Sequence, residues 1–169
     1  ADTQTVDKQF AISTAEYRSR SRQVHAALRE RSLDAGFVFS DEHYDGDVPY
    51  LGGNTNVQIE QVAGVVGPGG FHIAAGLEGG YIAEQLAPRA GAAVHKVEML
   101  KLADEEYPIR AKRMEDVIAL AAGRRVRRIG LLSPRQVVPA AIVAYLEAHY
   151  CRENVVDCQD LYYKIKWIK

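Results

Sequence analysis

Between two apolar runs the chain reads Asp41-Glu42-His43-Tyr44-Asp45-Gly46-Asp47-Val48-Pro49-Tyr50-Leu51-Gly52-Gly53-Asn54-Thr55-Asn56, acidic at one end and glycine- and amide-rich at the other. Oxygen-bearing side chains at alternate places with glycine at the sixth are the pattern of a calcium loop. The pattern fails at its third position, His43, a poor ligand for a hard cation. It fails again at the twelfth, where Gly52 replaces the bidentate carboxylate. A phosphate loop would need GxxxxGK[ST], and no lysine follows Gly52-Gly53. A second candidate is Phe71 to Leu86, which reads strand, glycine loop, helix, with Glu98 where a ribose-binding acid stands in dinucleotide folds. Its spacing is GxxGG rather than GxGxxG, and Glu78 would oppose a bound phosphate while suiting a bare helix N-terminus. Nucleotide binding or regulation through Gly76 to Gly80 stands as the alternative function.

Other chemistry-bearing residues are scattered. His25, His43, His72, His95 and His149 fall in no HxH, HxxxH or HExxH spacing and read as half-buried structural residues. No serine sits in a GxSxG elbow, and neither Cys151 nor Cys158 lies in a nucleophile or metal motif. Those cysteines read as reduced thiols, although a disulfide is compatible with the sequence as well. Gly123-Arg124-Arg125-Val126-Arg127-Arg128 is a basic cluster without interleaved aromatics, read as complementing a helix C-terminus. From the residues alone, no catalytic or metal-binding set assembles.

The elements that would position these residues follow from periodicity. A helix starts near Ser13 or Thr14 and runs to about Ser32, with Tyr17, Val24 and Leu28 inward and Arg18, Arg20, Arg22, Arg29 and Arg31 on a solvated face. Strands are expected at 37–39, 62–66, 71–75, 93–97, 128–132 and 155–156, the second and third joined by the tight turn Gly67-Pro68-Gly69-Gly70. Helices are expected at about 80–86, 114–122 ending on Gly123, 139–149 and 159–169, whereas 99–113 reads as a loop with a turn of helix. The opening loop is expected to cross between strands without structure of its own. Three strands joined by tight turns, then alternating helix and strand, give one α/β domain with a mixed, partly antiparallel sheet flanked by helices.

The whole composition suits that picture. The chain has 169 residues, 47% hydrophobic and 25% charged, and a net charge of -1. That length buries roughly 70% of the unfolded surface. The balanced charge gives no field favouring nucleic acid or an anionic membrane. No apolar run approaches the ~18 residues of a spanning helix, and no secretory leader is expected, so the expectation is a cytoplasmic protein.

Several segments in order carry a resemblance. The helix with Glu16-Tyr17-Arg18 and Leu28-Arg29-Glu30-Arg31-Ser32-Leu33-Asp34-Ala35 runs into a buried strand, followed by Pro49-Tyr50-Leu51-Gly52-Gly53, close to the pattern N-I-x-Y-L-T-G-F. Asp160-Leu161-Tyr162-Tyr163-Lys164-Ile165-Lys166 is similar to a helix that reads L-R-x-I-K-S. Over about residues 14–169 the chain resembles the N-terminal domain of the creatinase, prolidase and Xaa-Pro aminopeptidase (pita-bread metallohydrolase) family.

The resemblance implies a single three-layer, ribonuclease H-like domain over 14–158, a frayed leader over 1–13 and a linker helix from 159 to 169. It implies no catalytic residues, no metal ligands and no cofactor in this chain. The catalytic domain, with two divalent metal ions if it is a metallopeptidase, would follow downstream. It further implies a homodimer, docking to the chain's own C-terminal catalytic domain, and a wall of the substrate entrance for peptides at the partner's site. Asn54, Asn56, Gln58 and Glu60 take the positions just beyond the glycine motif and are the entrance candidates. Leu161, Ile165 and Ile168 share one face of the last helix, which either docks outward or packs on the domain's own sheet.

Overall fold

Alternation of inward side chains decides how the sheet is built. The structure, a computed structural model, describes residues 11–53, 60–102 and 110–167. β1 (Ala35–Ser40) is buried on both faces, sending Ala35, Phe37 and Phe39 to one side and Val38 to the other. β2 (Val62–Gly67) and β3 (Gly70–Ala75) follow, then β4 (Ala93–Lys96), β5 (Ile129–Leu131) and β6 (Val155–Asp157). They form one sheet in the order β4-β3-β2-β1-β5-β6. β2 is antiparallel to both neighbours, and the β1/β5, β3/β4 and β5/β6 pairs are parallel. The mixed sheet expected from the sequence is therefore observed.

Helices cover both faces, as strands buried on two sides require. One face packs on α4 (Met114–Ala122) and α5 (Ala140–Tyr150), through Val117, Ile118, Ile142 and Leu146. The other packs on α1 (Thr14–Glu30), α2 (Asp47–Gly52), α3 (Leu77–Leu86) and α6 (Gln159–Trp167), through Val24, Leu28, Leu51, Ala83 and Tyr162. Ser13 caps α1 by accepting the Glu16 N–H at 3.2 Å. Gly123, at φ +63°, closes α4 in the left-handed conformation that its position anticipates.

Four expectations are corrected. The opening loop carries a helix, α2, where no structure of its own was expected. α3 begins at Leu77, three residues before Gly80, because a distant carboxylate serves its N-terminus. The arginines of α1 are not a uniform solvated face: Arg20 lies 4.5 Å over the Tyr50 ring and donates to the Tyr50 carbonyl, and Arg31 pairs with Asp160. The basic cluster does more than complement a helix end. Asp34 accepts the Arg127 and Arg128 N–H groups at 2.8 and 3.0 Å and pairs with the Arg124 guanidinium, locking the α4–β5 connection to the start of β1. Of the two readings of the last helix, the described residues show inward packing. Leu161 and Tyr162 are buried and Ile165 is half-buried against the domain, whereas Trp167 is 85% exposed.

Candidate functional site

The acidic loop spends its oxygens internally. Asp41 accepts the His43 and Tyr44 N–H groups at 2.9 and 2.8 Å, closing a local turn. Asp47 is fully buried beneath α6. One of its oxygens accepts the Ser133 hydroxyl at 2.7 Å and the other the Lys166 ammonium at 2.6 Å, while its carbonyl accepts the Tyr162 hydroxyl at 2.6 Å. Burial pushes the Asp47 carboxyl above its usual range despite these donors. Ser40 completes the tie by accepting the Val48 N–H at 2.9 Å. The glycines have packing reasons. A Cβ on Gly52 would stand 2.8 Å from the Phe71 ring, and Gly53 ends α2 at φ +72° beside Tyr17.

The entrance candidates lie just beyond. Asn54, Asn56 and Gln58 fall outside the described residues. Glu60 is described, and its carboxylate turns inward, 5% exposed, accepting the Gly79 N–H at 2.9 Å. Gly79 lies in the first turn of α3, where backbone N–H groups lack intrahelical partners. An anion there is worth about 0.3–1 kcal/mol, and up to ~2 kcal/mol when partly buried. Glu60 therefore fills the place that a nucleotide phosphate would occupy at Gly76 to Gly80. Even a methyl group on Gly76 would stand 2.6 Å from its Oε2. No sequence signal announces this contact, because the acceptor's partner is a backbone group 19 residues away.

Two further clusters escaped the sequence reading. His72 on β3 and His95 on β4 bring Nδ1 and Nε2 within 2.9 Å, with ring planes 5° apart. Ring centres 5.2 Å apart leave only two ring radii beyond the 2.9 Å gap, so the imidazoles meet edge to edge. Their facing nitrogens share one proton instead of converging on a metal. Burial, then His72 and Lys112, lowers His95 to about 4, and burial lowers His72. The residues are 23 apart in sequence, so strand pairing alone unites them. At the second cluster, Glu115 and His149 line a cavity of about 270 Å³ with Met99, Met114 and Tyr145. Their atoms approach only to 3.7 Å. Cys151 is exposed and Cys158 buried, both as free thiols. Among the described residues, no group of three His, Cys, Asp or Glu side chains is close enough to hold a metal ion. No helix among them is long and apolar enough to cross a membrane.

No family model and no curated protein matches the sequence. Solved structures do match the fold. The prolidase from Pyrococcus horikoshii OT3 superimposes with a TM-score of 0.60 at 12% identity, covering 89% of this chain and 35% of that one. The dipeptidase PepE from Mycobacterium ulcerans gives 0.59 at 17% identity, over 94% of this chain and 38% of that one. A Xaa-Pro aminopeptidase chain from Streptococcus thermophilus gives 0.57 at 14% identity, over 89% of this chain and 98% of that one. The chain thus spans little more than a third of the first two. At these identities the match speaks for architecture. The chain has the three-layer α/β fold that these prolidase, dipeptidase and aminopeptidase chains contain.

Proposed function

We propose that the chain is the non-catalytic N-terminal domain of a Xaa-Pro peptidase-like hydrolase of the creatinase and prolidase type. One observation carries the reading: the fold match takes in about nine-tenths of this chain but only 35–38% of the prolidase and dipeptidase chains. The rest of such a protein would supply the chemistry, including two divalent metal ions if it is a metallopeptidase. No step is assigned to this chain. Its own contribution is positional. Asn54, Asn56 and Gln58 offer amides beside the substrate entrance, in a cytoplasmic homodimer whose domains wall each other's clefts. Glu60 serves as the anchor of that segment on α3 rather than as a ligand for a peptide's ammonium, since its carboxylate is buried on Gly79.

The test is the protein made from the complete reading frame, assayed against Xaa-Pro dipeptides with and without chelator. Chelator-sensitive hydrolysis supports the proposal, together with a dimer by light scattering. A several-fold rise in KM with unchanged kcat for Gln58→Ala would support the entrance role. Hydrolysis by residues 1–169 alone overturns the non-catalytic role, and a reading frame that stops at Lys169 overturns the peptidase reading.

A further inference from the structure

On the outer side of α1 the sequence places Arg18, Arg22 and His25 at i, i+4 and i+7, one helical face. That face looks across a cleft of about 410 Å³ to the tip of the β2–β3 hairpin, Gly67 to Gly70, and to the corner at Ala90 and Gly91. Among the described residues, no carboxylate lines the cleft. The two guanidinium groups make no hydrogen bond or ion pair with any described residue. Arg20, Arg31, Arg124, Arg128 and Arg135, by contrast, each hold a carboxylate or a carbonyl. Gly91 borders the cleft. It sits at φ +71°, which the turn after Ala90 requires, and a Cβ there would stand 3.1 Å from the Arg18 Nε.

We infer that this cleft is a binding site for a soluble phosphate-bearing small molecule, a phosphate ester or diphosphate. Cations four residues apart on a helix have Cβ atoms about 5–6 Å from each other, close enough for both to engage one tetrahedral anion. Two guanidinium forks, an imidazole and the Ser21 hydroxyl offer more donors than one planar carboxylate accepts, and arginine forks match phosphate oxygens bidentately. The cleft falls within the ~300–1,000 Å³ of small-ligand sites, leaving room for more than a lone phosphate. The Phe71 ring of the lining is only 4% exposed and is not offered as a stacking platform. The hairpin glycines do not belong to the binding argument, since Gly67 and Gly69 are required by the backbone of Ala121, 2.4 and 3.0 Å from their would-be Cβ atoms.

The experiment is calorimetric titration of the 169-residue chain with inorganic pyrophosphate, repeated with citrate as a carboxylate-only anion. Both arginines are exposed, so Arg18→Gln, Arg22→Gln and the double variant retain the fold, checked by circular dichroism. Binding that weakens at least 10-fold in the double variant, weakens with added salt and survives Arg152→Gln on another part of the surface supports the site. Absence of pyrophosphate binding, or binding indifferent to both arginines, overturns it. Citrate binding as tightly as pyrophosphate overturns the phosphate assignment. Co-sedimentation with phosphatidate vesicles in the absence of pyrophosphate binding would transfer the site to a lipid headgroup, and so overturn a soluble ligand.

Discussion

Asp47 offers the sharpest test of how this domain is held together. Its carboxylate has no solvent exposure, and burial raises its pKa although Lys166 and Ser133 both donate to it. The desolvation cost therefore exceeds what these two donors return. The raised folded-state value means that the group favours the folded state fully below its unfolded pKa of about 3.9, and that this contribution is lost as pH rises through the folded value. Asp47→Asn keeps an oxygen for the Ser133 hydroxyl and removes the buried charge. Lys166, 22% exposed near the end of α6, can turn to water. The expected cost at about pH 7 is within ~1 kcal/mol. Asp47→Ala removes the acceptor itself. Ser133 retains the Phe39 carbonyl at 3.2 Å as a second choice, which limits the loss to about 2–3 kcal/mol. At roughly 2–4 °C per kcal/mol for a domain of this size, alanine should lower Tm by about 4–12 °C and asparagine by a few degrees at most. Urea unfolding followed by circular dichroism at about pH 4 and pH 7 gives the comparison, with wild type losing ground to the asparagine variant as pH rises. If asparagine costs as much as alanine at neutral pH, or the gap ignores pH, the Lys166 pair outweighs burial and the reasoning fails.

Gly64→Ala places a methyl group 2.2 Å from the Phe71 ring and 3.0 Å from Val38, so it should cost about 1–3 kcal/mol by urea unfolding. Adding Phe71→Leu should recover part of that loss, and a neutral Gly64→Ala would refute the close packing. Burial acts to raise the Asp34 carboxyl, yet the Arg128 and Arg127 N–H groups and the Arg124 charge hold it below its usual range. Its contribution is present above the unfolded pKa and lost as pH falls through the folded value, so Asp34→Asn should flatten the acid limb of the stability curve while wild type stays steep. With His95 lowered to about 4, the unfolded state binds more protons between that value and about 6.5, and stability should rise with pH across the window. An NMR titration that finds either His72 or His95 changing near 6.5 would break the shared-proton arrangement.

β1, β2, β3 and β6 were legible because each is a short run with β-branched or aromatic residues beside glycine, proline or a charged turn. α4 was legible to the residue, since Met114 starts an apolar helical period and Gly123 supplies the left-handed stop. α2 was not. Asp47-Val48-Pro49-Tyr50-Leu51-Gly52 contains a proline and a glycine, both poor helix formers, and its helix is held by tertiary contacts from Ser40, Ser133 and Tyr162. Glu60 illustrates a second limit. A carboxylate just before a strand reads as surface, and only the fold shows that the nearest uncapped helix N-terminus is the one it reaches. Arg18 and Arg22 read as part of a solvated face and His25 as a structural residue, because the opposite wall of their cleft comes from a hairpin some 45 residues further along. Spacing identifies a face, and tertiary structure decides whether water covers it.

The two buried acids give the candidate entrance segment its setting. Asp47 fixes α2 to the turn after β5 through Ser133 and to α6 through Lys166 and Tyr162. Glu60 fixes the start of β2 to α3. Residues 54–59 lie in the chain between these two anchors. The same Asp47 that holds the near anchor also holds α6, the element that the proposed function places next to a catalytic domain. A carboxylate kept in the core at a cost in charge burial is a poor way to gain stability, for which an apolar residue would serve as well. What it does supply is a fixed relation between α6 and α2, since one side chain and its carbonyl satisfy donors from two elements at once. On the proposed reading, that relation is what orients the entrance residues relative to the chemistry beyond α6.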